Sequence, residues 1–444
     1  MPRLWVWARY LASGHALRRV TLACRAMPAR SPPRSTPLCA SKRFHRPCGE
    51  TPTASSLNRV RRLLLLTGAI VLVDTMFFAA LTPLLPHYVH EFHLGKAGAG
   101  VLQAMYPAGA LAAGIPGGIA AARLGVKPTV LIGLSLLAVT TVAFGLADSV
   151  WALDLARFLQ GVSSAFSWTG ALSWLVAAAP AGRRGQLIGS AFGAAIAGAL
   201  FGPVLGAVAS FTGTGPAFGA VAGLALVLAG VAAGTPAPAP ESPQPLRMLF
   251  DALRRNRTIQ TGVWLCLLPA LCFGTLSVLA PLRLSDLGWG AAAVGATYLV
   301  SAAFEAAWSP VLGRISDRHG RIPPLLGALA ASALVALLLP WPRQALLLAF
   351  LVVCAGFAFG SFWTPAMSLV TDAAEQSGLE YGYAFALVNV AWAPGQAGGS
   401  AIGGAVASAT TDAVSYVGLA VLCLVTLAAL MRYKEAAVPL TAER

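Results

Sequence analysis

Beyond residue 62 the chain is a series of apolar runs cut by short bends rich in Pro, Gly or charge. A run of about 20 residues is what a bilayer requires of a spanning helix. Twelve such runs can be counted: 63–85, 98–120, 129–147, 153–176, 186–210, 216–234, 260–282, 291–312, 323–340, 345–368, 382–407 and 413–431. In lipid a lone apolar run satisfies its backbone groups only as a helix, so the pattern predicts an all-α integral membrane protein of twelve spans.

One bend organises the series. Gly313-Arg314-Ile315-Ser316-Asp317-Arg318-His319-Gly320-Arg321 has a twin 195 positions earlier at Gly118–Lys127, with matches at Gly118/Gly313, Arg123/Arg318 and Gly125/Gly320. The same offset, without a gap, pairs Phe78 with Phe273, Pro86 with Pro281, Pro128 with Pro323, Gly161 with Gly356 and Trp168-Thr169 with Trp363-Thr364. One shift across several helices marks a tandem duplication. It predicts two six-helix bundles, 59–234 and 260–432, joined by a linker over 235–259. The linker opens with five prolines between Pro236 and Pro245, which favour an extended spacer. It closes with Leu246, Leu249, Phe250 and Leu253 at helical spacing beside Arg247, Arg254, Arg255 and Arg257. That pattern fits either a short helix in the inner headgroup layer or a solvated linker.

Composition agrees: hydrophobic residues make up 57% and charged residues 11%, and the mean hydropathy is +0.72. The net charge of +15 would suit nucleic acid, but 13 of the 31 Lys and Arg lie in residues 1–62, so the membrane body carries little of it. Residues 1–58 read as a disordered tail or as upstream sequence included by a start-codon choice. The alternatives are an organelle transit peptide and an arm that binds anionic lipid. With the amino terminus inside, the inner loops and the tail over 433–444 hold fourteen basic residues and the outer loops three, Lys96, Arg283 and Arg343. Both termini are therefore expected in the cytoplasm, with the chain in the cell membrane. The seven cysteines show no metal spacing and read as small buried hydrophobes. His87, His90 and His93 sit in an outer loop with only Glu91 nearby, so no metal is expected. No cofactor, ATP-binding loop or nucleophile–base pair is found, which points away from an enzyme.

Two six-helix halves with these motifs resemble the major facilitator superfamily. The second bend carries that superfamily's signature at Gly313, Asp317, Arg318, Gly320 and Arg321; the first has Ala122 in place of the Asp and Val126 in place of an Arg. Arg157-Phe158-Leu159-Gln160-Gly161 resembles its fourth-helix element. Gly189, Gly198, Gly202, Pro203 and Gly206 resemble the fifth-helix element of the drug:proton antiporters, with Ala207 at the closing Gly. Asp74 and Leu81–Pro86 are similar to the antiporters' first-helix pattern. The resemblance implies a major facilitator fold and proton-driven efflux of a small lipophilic or cationic molecule by a monomer. A symporter or facilitator of a metabolite is the rival, with a receptor or membrane enzyme as rivals from another class.

Charges inside spans sharpen this, because each costs at least about 2.5 kcal/mol at mid-membrane. Three stand out: Asp74, Arg157 and Glu305. Asp74 lies about 16 Å from the inner end of its span at about 1.5 Å per residue. Arg157 comes near enough for its side chain to bridge the gap. Their equivalents in the other half are Pro269, Val352 and Ala110. Asp74 is expected to carry the proton with Arg157 as modulator, since burial favours the neutral acid and a guanidinium the ionised one. A static Asp74–Arg157 pair that fixes packing is the alternative. Glu305 is expected to take a cationic substrate or a second proton. Gln103, Tyr106, Gln160, Trp264, Tyr298, Asn389, Trp392 and Gln396 are the polar and aromatic candidates for the cavity wall. In the superfamily's arrangement each bend faces the other half. Two ion-pair latches are thus expected, Asp317 (with Arg318 and Arg321 in its bend) with Arg183 and Arg184, and Arg123 and Lys127 with Asp372, Glu375 and Glu380.

Overall fold

The computed structural model of the protein describes residues 54–179, 184–238, 246–379 and 381–437. The amino-terminal half holds α1 (Ala54–Glu91), α2 (Lys96–Arg123), α3 (Val126–Gly145), α4 (Val150–Ala178), α5 (Arg184–Thr212) and α6 (Thr214–Gly234). A short α7 (Leu246–Arg255) leads into the second half: α8 (Arg257–Asp286), α9 (Ala291–His319), α10 (Ile322–Leu338), α11 (Ala345–Gly360), α12 (Trp363–Gln376), α13 (Tyr381–Ala409) and α14 (Asp412–Ala437). Each run read from the sequence falls on a helix, and one falls on two. Eight described stretches, with 345–376 taken as one, are long and apolar enough to cross a membrane. The 17-residue α10 is apolar but shorter. In α2, α4 and α13, Gly, Ser, Gln and charged residues dilute the apolar run.

The run over 345–368 was expected to be one helix, but it breaks after Gly360. Pro365, three residues into α12, lacks the N–H that would bond the Ser361 carbonyl. The chain turns at Ser361, whose Oγ donates to the Phe357 carbonyl at 2.6 Å, and α12 starts again at Trp363. The equivalent of Pro365 is Gly170, and α4 runs through it unbroken.

Helix crossings repeat between the halves. Along α5, an added Cβ at Gly198, Gly202 or Gly206 would strike α1, at the Leu72 carbonyl, at Ala79 and at the Ala80 carbonyl respectively. Along α13, Gly395, Gly399 and Gly403 face Leu267, Leu271 and Thr275 of α8 in the same manner. Small residues at spacings of four let two backbones touch where lipid offers no hydrophobic drive. The twin bends share a conformation too: Gly125 and Gly320 have φ of 96° and 83°, a region open to glycine and costly to most other residues.

The halves meet at the end opposite the Arg-rich bends. There a Cβ on Gly100 would lie 2.5 Å from the Ser400 carbonyl, and one on Gly295 would lie 2.9 Å from the Pro203 carbonyl. Lys96 Nζ bonds Asp412 at 2.5 Å, the one ion pair between the halves among the described residues. At the Arg-rich end, Gly118 and Gly313 have nothing within 4 Å of an added Cβ.

Candidate functional site

The polar centre of the first half is built on α1, α2 and α4. Asp74 is buried on α1, and its Oδ2 accepts three bonds: from Tyr106 Oη at 2.8 Å, Ser164 Oγ at 2.7 Å and Trp168 Nε1 at 2.7 Å. Its Oδ1 is also buried and has no hydrogen-bond partner. Ser164 and Trp168 lie one turn apart on α4, so both donors project from the same face of that helix.

Arg157 is fully buried but forms no ion pair with Asp74, and the expected bridge is absent. Its Nη2 donates to the Phe78 carbonyl at 3.3 Å and its Nη1 to Gln160 Oε1 at 3.4 Å. Its Cζ lies 5.7 Å from the Phe77 ring, 6.0 Å from Phe78, 5.1 Å from Tyr106 and 5.9 Å from Phe144. The physical reason is the aromatic lining: ring faces attract a desolvated guanidinium, and Tyr106 stands between the two charges. Its ring faces Arg157 while its hydroxyl holds Asp74. Phe77 also packs edge-on against Phe144 and Phe218, which fixes the cage to α3 and α6.

The second half differs. Ser301, equivalent to Tyr106, is pressed against Gly356, and Glu305 stands one turn further along α9. A Cβ at Gly360 would lie 2.6 Å from the Glu305 Cδ. Two glycines on α11 thus make room for a serine and a carboxylate on α9. Among the described residues Glu305 has no ion-pair or hydrogen-bond partner.

The cavity candidates divide. Tyr106 belongs to the Asp74 centre, and Trp392 packs edge-on against Phe78 across the two halves, 5.6 Å between ring centroids. Asn389 is exposed on α13. Gln160 is wholly buried against α3, where its Nε2 donates to the Thr140 carbonyl at 3.1 Å. Gln103 and Gln396 are buried, and the Tyr298 hydroxyl donates to the Leu276 carbonyl at 2.9 Å. Trp264 is spent on packing, since its Nε1 bonds Thr426 of α14 at 3.0 Å. Gln160 is therefore engaged with the Thr140 carbonyl and with Arg157, and Trp264, half-exposed, with the Thr426 hydroxyl.

Among the described residues no ion pair of the expected latches forms. Arg321 Nη1 bonds Asp317 at 2.6 Å and its Nη2 bonds Asp372 at 3.1 Å, so both acids are held within the second half. Among the described residues Arg123, Lys127, Arg318 and Glu375 form no ion pair. Asp372 thus takes a cation of its own bundle. Arg183, Glu380 and the side chain of Arg184 lie outside the described residues. Of the fifth-helix motif, Gly198, Gly202 and Gly206 set the crossing with α1, the helix of Asp74, and the Pro203 carbonyl faces Gly295 across the halves. A Cβ added at Gly189 would meet nothing within 4 Å.

Sequence reasoning missed Ser164, Trp168 and Asp154. Asp154 is a fourth charge within a span, buried on α4 with its Oδ1 unpartnered. A signal for the first two was present: 157, 160, 164 and 168 form one stripe of polar and aromatic residues at helical spacing.

Comparisons with known proteins agree with this architecture. The sequence profile of the Major Facilitator Superfamily matches residues 67–395 and 270–443. A stretch of 106 residues is 33% identical to the MFS-type transporter ppzB of Metarhizium rileyi (strain RCEF 4871). That stretch is 24% of this chain and 20% of the relative, so the chain spans about a fifth of that relative's length. In fold the chain is similar to a bacterial homolog of the human lysosomal transporter Spinster. The inward-facing, unoccupied crystal structure gives a TM-score of 0.67 at 16% identity, over 84% of this chain and 95% of that one. The inward-facing, occupied structure gives 0.68 at 16% identity, over 87% and 98%. The fold is thus the all-helical major facilitator one, consistent with twelve spans, and the chain belongs to the Major Facilitator Superfamily of multi-pass membrane transporters.

Proposed function

We propose that the protein is a proton-coupled efflux transporter of small lipophilic or cationic molecules, working by alternating access with its Arg-rich end in the cytoplasm. The observation that carries this reading is the carboxyl of Asp74, buried in a membrane span with one oxygen saturated by three donors and the other bare. A proton added at Oδ1 neutralises the side chain and leaves the three bonds to Oδ2 in place. The site can therefore load and release a proton without being rebuilt. An unpaired charge at this depth is costly enough to demand such a role.

Arg157 acts on Asp74 through space and through Tyr106, whose ring and hydroxyl touch one charge each. Glu305 supplies a second carboxylate in the opposite half, placed for a cationic substrate or a second proton. Phe78 and Trp392 give the wall between the halves its aromatic surface, suited to a lipophilic cation. The seam at Gly100 and Gly295 then closes the outer side, and the access route is from the cytoplasm. Opening outward must part Lys96 from Asp412 and bring the Arg-rich bends together, with Asp317 and Arg183 or Arg184 as candidate partners.

Proteoliposomes test this directly. A proton gradient should drive substrate uptake by everted vesicles carrying the natural chain, and Asp74→Asn should abolish that response while substrate binding persists. An unchanged pH dependence in Asp74→Asn would overturn the coupling role and leave facilitated movement as the activity.

A further inference from the structure

We infer that the junction of α7 with α8 is a binding site for the phosphate headgroup of an anionic phospholipid of the adjoining leaflet. Four arginines crowd eleven residues there, Arg247, Arg254, Arg255 and Arg257, against a single acid, Asp251. All four are exposed, and none forms an ion pair among the described residues, not even Arg255 with Asp251 one turn away.

The junction is a built one. Asn256 Oδ1 caps α8 by accepting from the N–H groups of Thr258 and Ile259 at 2.9 and 3.2 Å, while its Nδ2 donates to Ser377 Oγ at 3.0 Å. Gln260 Nε2 donates to the last carbonyls of α7, Leu253 at 3.0 Å and Arg254 at 2.9 Å. These bonds hold α7 against the end of a membrane-spanning helix, so its arginines stay at the depth of the headgroups. Between α7, α8 and Ser377 lies an open surface groove of about 500 Å³, lined by Met248, Asp251, Arg255, Arg257 and Ser377.

The outer face of α7 matches the same occupant. Phe250 is 45% exposed although Leu249 beside it is buried, and Arg247 and Arg254 flank Phe250 at helical spacing. An exposed aromatic between cations is costly in water and favourable at an anionic interface, where the ring enters the acyl boundary and the guanidiniums meet phosphate. Guanidinium forks suit a phosphodiester better than they suit a zwitterionic surface that carries its own cation.

The test uses the full purified chain in a mild detergent, titrated with phosphatidylglycerol or with phosphatidylcholine of the same acyl chains. Bound lipid is counted by native mass spectrometry. Phosphatidylglycerol should bind and phosphatidylcholine should not. Arg255→Gln with Arg257→Gln should weaken binding by about 25-fold, the product of about fivefold for each basic residue at a surface. Arg255→Lys with Arg257→Lys, which keeps the charge, should retain most of it and controls for folding. Equal binding of the two lipids, or binding unchanged in the double Gln variant, would overturn the inference. Displacement of phosphatidylglycerol by inorganic phosphate at matched concentration would also overturn it, by assigning the groove to a free anion.

Discussion

The two halves share a frame and differ in what they put inside it. At one offset they keep the left-handed Gly125 and Gly320 and the crossing of the second and fourth helices of each half at Gly161 and Gly356. Glycine ladders then hold α5 on α1 and α13 on α8. Inside this common frame the first half buries an aspartate, an arginine and an aromatic cage, whereas the second sets one glutamate against bare glycine backbone. Where Tyr106, Ala110 and Ala165 stand in one half, Ser301, Glu305 and Gly360 stand in the other. The difference teaches that the halves share the scaffold of the duplication but not its charges.

The strongest way to break this comparison is to move the carboxylate. Pro269→Asp combined with Asp74→Asn places an acid at the equivalent site, where Ser301 and Phe359 replace the donors Tyr106 and Ser164. Proton-driven transport should remain absent, a loss of at least about 100-fold for a group that acts in proton transfer; restored transport would make the two frames interchangeable. Glu305→Gln should instead preserve the proton response and weaken cationic more than neutral substrates, as read from competition by a substrate pair of matched size.

The ladders give the next effect. Gly202→Ala and Gly399→Ala, one in each half, should each lower stability by about 1–3 kcal/mol through overpacking, seen as a fall in the melting temperature of the purified protein. Gly189→Ala, with open space around it, should leave that temperature unchanged. A smaller effect comes from the inter-half pair. Charge reversal at Lys96 or Asp412 should shift the population toward the outward-open state, measured by the labelling rate of a cysteine introduced on the seam, and the double reversal should restore it. The pair is only partly buried, so its worth is about 1 kcal/mol or less. An effect of the same size tests the frame itself: His93 has φ 52° where its equivalent Gly288 has 88°, and His93→Gly should raise stability by about 1 kcal/mol or less.

The spans, the repeat and the bends were legible because they are one-dimensional facts: run length, offset and spacing. The break at Ser361 was not legible: Pro365 forbids one hydrogen bond, but so do Pro107, Pro203 and Pro394 inside helices that stay unbroken. Helix rotation is what sequence withholds. Trp168 and Trp363 look alike as repeat markers, yet Trp168 holds Asp74 while Trp363 only begins α12. The Asp74–Arg157 bridge failed for the same reason: depth along two helices brought the charges close, but nothing along the chain says that Tyr106 lies between them. The bends misled differently: Arg321 takes both Asp317 and Asp372 within its own half, a pairing that spacing along the chain does not announce.

The seam between the halves has a consequence for how the transporter would cycle. Where Gly100 lies against Gly404 and Gly295 against Pro203, parting the halves uncovers backbone and small apolar atoms and, among the described residues, one ion pair. Little has to be rehydrated when it opens, so the barrier is chiefly a matter of lost dispersion contact. Such a joint is cheap to part yet intolerant of bulk: one methyl group on Gly404 would act as a wedge and hold the outer side ajar.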